Sequence, residues 1–219
     1  MSVNLIPKKI HYCWFGGNEY TPLVKKCMET WAKYLPDWEF ILWDESNSPI
    51  DHPFVKKALH EKKYAFAADY VRFYALYNFG GVYLDTDIEL VKNLDPLLNN
   101  KFFSGSENRD NKNVSAGVLG SVEKHEYLES VLAYYDQLES YETSPFVLTT
   151  VYNNKLFENV KIYQSQYFYP YNPFDSDQNV KQLFYSDIKE DTFAIHHWSF
   201  SWKPSFLDRI LNFIKRVIS

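Results

Sequence analysis

Phe79-Gly80-Gly81-Val82-Tyr83-Leu84-Asp85-Thr86-Asp87 constrains this chain more than any other stretch. Its two glycines tolerate the left-handed backbone that ends helices and reverses the chain. Val82, Tyr83 and Leu84 form a short apolar run of good strand formers. Asp85 and Asp87 follow where that strand leaves its sheet, the usual place for ligand sites in open α/β folds. Two hard carboxylate ligands there suit Mg²⁺ or Mn²⁺, which bind through one or two carboxylates plus substrate phosphates. The stretch therefore predicts an α/β chain with a metal-dependent site for a phosphate-bearing ligand.

The flanking sequence fits that class. Lys9 to Phe15 reads as a first buried strand closed by Gly16-Gly17. Pro22 to Tyr34 reads as a helix, with Leu23, Cys27 and Trp31 at four-residue intervals, and Trp38 to Trp43 alternates like a second strand. This order points to a largely parallel sheet. The strongest helical pattern runs from Lys62 to Phe79, where Ala65, Ala68, Asp69, Arg72, Ala75, Leu76 and Phe79 share one stripe. Asp69 and Arg72 are its only charges, and buried charges are costly unless paired or used by a ligand. The residues alone leave two readings open: an internal i, i+3 ion pair, or groups facing a site beside Asp85.

Further on, Ser115 to Ser121 reads as a small-residue strand or a loop, and Glu126 to Ser140 as an amphipathic helix. Residues 161–191 look loop-like with short strands, and Phe193 to Trp198 like a strand carrying His196 and His197. From Phe206 to Ile218, apolar residues at helical spacing alternate with Arg209, Lys215 and Arg216. Such a helix either lies in a membrane interface or docks on the core. We read residues 1–204 as a single domain and 205–219 as this basic amphipathic appendage.

Composition narrows the function classes. A length of 219 residues suits one domain with a sizeable core. Aromatic residues reach 19%, and most are expected to fill that core. A net charge of −5 argues against a nucleic-acid partner, which needs a basic surface. Cys13 and Cys27 show no ligand or disulfide spacing, which fits reduced thiols in the cytoplasm. The N-terminus lacks the apolar core of a signal peptide, and no run of roughly 18 apolar residues could span a bilayer.

Three blocks stand in order: Ile6 to Gly17, Ala67 to Leu76 and Gly80 to Asp87, with a fourth at Ile195-His196-His197-Trp198-Ser199-Phe200-Ser201-Trp202. Together they resemble the sugar-binding D-x-D glycosyltransferases of family 32. That group includes bacterial capsular polysaccharide enzymes, yeast initiating mannosyltransferases and, more distantly, clostridial toxin glucosyltransferase domains. The resemblance implies a GT-A type α/β fold, with a mostly parallel central sheet flanked by helices. It also implies a nucleotide-sugar donor, Mn²⁺ or Mg²⁺, and retention at the anomeric carbon.

By the same resemblance Asp85 contacts the donor sugar and ribose, or the metal through water, and Asp87 ligates the metal directly. His196 completes the metal shell, with His197 as the neighbouring candidate. Asp69 and Arg72 match a D-x-x-R pair that handles the donor, Trp14 borders the base, and Trp202 caps the diphosphate. Glu107, Asn108, Asp110 and Asn113 are candidates for the acceptor side. Ser144 to Thr149 resembles a G-P-x-x-L-T segment with Ser144 in place of glycine.

The function so implied is transfer of a hexose, with a UDP-hexose favoured, to a glycan or lipid-linked acceptor in surface polysaccharide synthesis. The expected location is the cytoplasm or the inner membrane face. A non-catalytic nucleotide-sugar-binding subunit and a toxin-like protein glycosyltransferase are the alternatives. The aspartate pair also resembles the start of haloacid-dehalogenase-type phosphatases, but here Ile88 follows Asp87 and the motif lies well inside the chain.

Overall fold

The computed structural model describes residues 5–110, 112–176 and 180–199. The expected C-terminal helix and Trp202 lie outside the described residues. The elements are β1 (Lys9–Cys13), α1 (Pro22–Tyr34), β2 (Glu39–Trp43), α2 (Pro53–His60), α3 (Tyr64–Phe79), β3 (Gly81–Leu84), β4 (Ile88–Leu90), β5 (Phe102–Ser106), β6 (Val114–Ser121), α4 (Glu126–Tyr135), α5 (Ser144–Asn154), β7 (Val160–Tyr163) and β8 (Ala194–His196). The main sheet runs β2-β1-β3-β6-β5-β7. β6 is antiparallel to both neighbours, and the other pairings are parallel. β4 and β8 form a separate antiparallel ribbon, with Ile88 opposite His196.

Successive residues of the central strands feed two apolar layers. Tyr83, Phe102 and Leu119 face the layer under α2 to α5, whereas Val82, Leu84 and Val118 join Trp31 of α1 and the β4–β8 ribbon. A sheet covered on both faces needs such near-continuous apolar strands. α3 sits so deep that its burial is not confined to the expected stripe: Ala67, Tyr70, Val71 and Phe73 are buried too, while Phe79 is exposed. α4 stops at Tyr135 rather than Ser140, because Gln137 and Leu138 hydrogen-bond three residues back and tighten the chain into a turn.

Gly80 and Gly81, at φ of 57° and 108°, make the α3-to-β3 corner. A side chain at Gly81 would sit 2.9 Å from the Lys9 carbonyl and 3.1 Å from the His11 ring. His11 is fully buried at this crossing. The Trp43 indole donates to its Nδ1 at 3.0 Å, so the ring proton is on Nε2, which donates to the Gly80 carbonyl at 2.8 Å. Burial pulls this imidazole down to about 4.

An unfolded chain binds that proton below about 6.5, so stability present above 6.5 is lost as pH falls toward about 4. Urea unfolding at pH 7 and pH 5 should assign about 2 kcal/mol of acid destabilisation to His11. The stability gap to His11→Gln should narrow by that amount at pH 5. A constant gap would remove His11 as the cause.

Candidate active site

Asp85 and Asp87 leave β3 in a turn closed by the Ile88 amide on the Asp85 carbonyl at 3.0 Å. α1 fixes the strand that follows. The Trp31 indole donates to the Ile88 carbonyl at 2.7 Å, and the Leu90 amide donates to the Thr30 hydroxyl at 2.9 Å. The Asp85 amide donates to the Gly117 carbonyl of β6 at 2.9 Å. Gly117 leaves room there, since a Cβ would stand 3.2 Å from Asp85 Oδ2 and 3.3 Å from the Tyr169 hydroxyl.

Asp85 Oδ1 receives the Tyr83 hydroxyl and Arg72 Nη1, each at 3.1 Å. Arg72 is buried, lies over the Tyr83 ring, and gives Nη1 to the Ala116 carbonyl at 2.9 Å and Nη2 to Asp69 Oδ1 at 2.8 Å. Burial disfavours its charge, but Asp85, Tyr83 and Asp69 more than restore it. Burial pushes Asp69 up to about 6 against the pull of Arg72 and Ser144. The two readings left open for this pair are thus both satisfied: Asp69 and Arg72 form an i, i+3 ion pair, and Arg72 faces Asp85.

Asp87 is 7% exposed and enclosed by the segment after β8. Its Oδ1 lies 3.2 Å from His196 Nε2, its Oδ2 accepts the Ser199 amide at 2.8 Å, and its carbonyl accepts the His197 amide at 3.1 Å. Burial opposes its charge, yet His196 and Ser199 outweigh it and hold the carboxyl well below the usual range. Burial likewise opposes charge on His196, and Asp87 overrides it to raise the imidazole. Strand alternation turns His197 the other way, onto Glu89 at 2.8 Å.

Asp85, Asp87 and His196 each present one ligand atom, all within 4.8 Å of one another. His196 Nδ1 is buried without a hydrogen-bond partner among the described residues. Two carboxylates and an imidazole suit Mn²⁺ or Mg²⁺, so the residues fit the implied metal.

Residues 21–103 match the family model for the glycosyltransferase sugar-binding region containing DXD motif. Over those residues, from the start of α1 into β5, the chain is similar to that region. Inositol phosphoceramide mannosyltransferase 3 of Schizosaccharomyces pombe is 31% identical over 135 residues, covering 58% of this chain and 36% of that protein. A mannosyl phosphorylinositol ceramide synthase of Saccharomyces cerevisiae is 28% identical over 170 residues, covering 71% and 41%. The chain thus spans well under half the length of these curated relatives. An uncharacterized glycosyltransferase of Acanthamoeba polyphaga mimivirus is 25% identical over 219 residues, covering 91% and 85%.

Among solved structures, the galactosyltransferase LgtC with donor and acceptor sugar analogues superposes with a TM-score of 0.53 at 13% identity, covering 95% of this chain and 94% of that one. The PaToxG glycosyltransferase gives 0.52 at 17% identity over 68% of each. These likenesses concern the fold, and the chain has the GT-A architecture expected from its sequence.

The matched residues include Asp69, Arg72, Asp85 and Asp87, and β8 brings His196 to them from outside the match. Trp14 follows β1 at the same edge of the sheet, half-buried, its indole donating to the Asn18 carbonyl at 2.7 Å and edge-on to Tyr20. Glu107 follows β5 with its carboxyl raised by burial, within the field of His196 and Asp85. The Asn113 backbone carbonyl takes the Glu107 amide, and Asn108 Oδ1 takes the Asn172 side-chain amide. Asp110 accepts the Lys112 amide in an exposed turn.

No sequence signal singles out Tyr169, and the fourth block contains Trp198 without giving it a role. The Tyr169 hydroxyl accepts the Val118 amide at 2.9 Å, and the Trp198 ring lies 4.1 Å from that of His196. Tyr169 is one aromatic in an irregular segment of an aromatic-rich chain, and no spacing marks it.

Proposed function

We propose that this chain is a metal-dependent glycosyltransferase that moves a hexosyl group from a nucleotide sugar to a lipid-linked acceptor, with retention at the anomeric carbon. The carrying observation is the convergence of Asp85, Asp87 and His196 beside the buried Arg72. The curated relatives named above are named for mannosyl transfer on inositol phosphoceramide. Their names support a lipid acceptor over a capsular glycan, and a mannosyl donor over the UDP-hexose favoured from the sequence.

Asp85, Asp87 and His196 would hold the ion, which when bound supplies Lewis acidity and neutralises the departing diphosphate. Arg72 is a planar, always charged donor whose fork is fixed by Asp69, Asp85 and the Ala116 carbonyl. It orients Asp85 toward the donor sugar. The Ser199 amide holds one Asp87 oxygen, leaving the other turned toward His196.

Thermal denaturation with a panel of nucleotide sugars, with and without Mn²⁺, tests this reading. A donor at about 100 times its Kd stabilises by roughly 2.7 kcal/mol. The expected result is a metal-dependent shift for one nucleotide sugar, accompanied by release of its nucleoside diphosphate. A shift without release would leave only a binding subunit. No shift with any donor would overturn the proposal.

A further inference from the structure

We propose that Ser144 is a positioning residue that holds Arg72 against Asp85 by fixing the carboxylate of Asp69. This rests on the glycosyl-transfer reading above. Ser144 opens α5, is 3% exposed, and donates its hydroxyl to Asp69 Oδ1 at 2.7 Å. Its backbone amide also bonds Asp69. The residue before the helix, Thr143, makes no side-chain capping bond, so a carboxylate from α3 does that work instead. The positive end of the α5 dipole adds to the hold.

The same Asp69 oxygen is 2.8 Å from Arg72 Nη2, and Arg72 Nη1 is shared between Asp85 Oδ1 and the Ala116 carbonyl. A buried path of charge-assisted hydrogen bonds thus runs Ser144, Asp69, Arg72, Asp85. Such bonds are directional and stronger than neutral ones. With the hydroxyl in place, the Asp69 oxygen divides its acceptor capacity between Ser144 and Arg72. Without it, the carboxylate is free to turn fully onto the guanidinium and draw it from Asp85.

The test compares Ser144→Thr, Ser144→Val and Ser144→Ala in the full chain, with donor turnover measured well below each melting temperature. Thr and Val share a shape and differ by the hydroxyl. Loss of a group that orients a ligating residue commonly costs about tenfold or more in activity. Val and Ala are expected to lose about that factor in kcat/KM for the donor. Thr should stay close to wild type, a rescue that mere packing would not give. If Val fails to fold, the Thr and Ala pair decides. Equal kcat/KM in hydroxyl-bearing and hydroxyl-free variants would overturn the role of Ser144. Absence of turnover in the wild type would overturn instead the reading on which it rests.

Discussion

Asp87→Asn is expected to lower donor turnover on the order of 10²- to 10³-fold while leaving the chain folded, the scale seen when one preorganised electrostatic group is lost. The substitution is nearly isosteric in a site only 7% exposed. The amide oxygen can still accept the Ser199 amide, and the amide nitrogen can face a neutral His196 Nε2. What disappears is the charge. A neutral amide is a poor ligand for a hard divalent ion, and the pull that raises His196 goes with it. Nucleoside diphosphate release and thermal melts on the same preparation check both halves. The apparent Mn²⁺ requirement should move to higher concentration in any residual activity. Near-normal turnover in folded Asp87→Asn would remove Asp87 from the chemistry.

The legible parts of this molecule are those in which local chemistry and tertiary role coincide. Pro22 at the first helical position and the spacing of Leu23, Cys27 and Trp31 delimit α1 with the bounds read from sequence. The corner at Gly80-Gly81 likewise fixed the α3-to-β3 boundary, because left-handed geometry there is written in residue type. α2, β4, β5 and the helical extent of α5 escaped. β5 reads Phe-Phe-Ser-Gly-Ser, with no alternation, because both faces of a central strand are buried. β4 is three residues long and exists because it pairs with β8, about a hundred positions later. No local window holds that information.

The site divides along the same line. Asp85 and Asp87 are announced by a two-residue spacing at a strand end, and Asp69 and Arg72 by being charges in an apolar stripe. The choice between His196 and His197 depends on which face of β8 meets Asp87, a matter of register rather than composition. Ser144 reaches Asp69 across 75 positions, and serine at a helix start is so common that its partner cannot be read from sequence.

Arg72→Met should do two separable things: destabilise the chain by about 3–5 kcal/mol, and remove turnover. The first follows from burial. Asp69 is 8% exposed, and removing its partner leaves a carboxyl that must either stay charged in the interior or take up a proton there. The second follows from the loss of the donor that orients Asp85. Combining Arg72→Met with Asp69→Asn separates them. The asparagine oxygen still accepts the Ser144 hydroxyl, and the stranded carboxyl is gone. Asp85 is more exposed and remains solvated.

Urea unfolding should therefore show the double variant more stable than the sum of the two single losses predicts, by about 1–3 kcal/mol. Turnover should not return, since nothing replaces the guanidinium beside Asp85. Arg72→Lys falls between: it keeps the charge, but one ammonium cannot serve Asp69, Asp85 and the Ala116 carbonyl together. Additive stabilities would show that Asp69 and Arg72 are not energetically coupled. Turnover restored in the double variant would reduce Arg72 to a structural counter-charge.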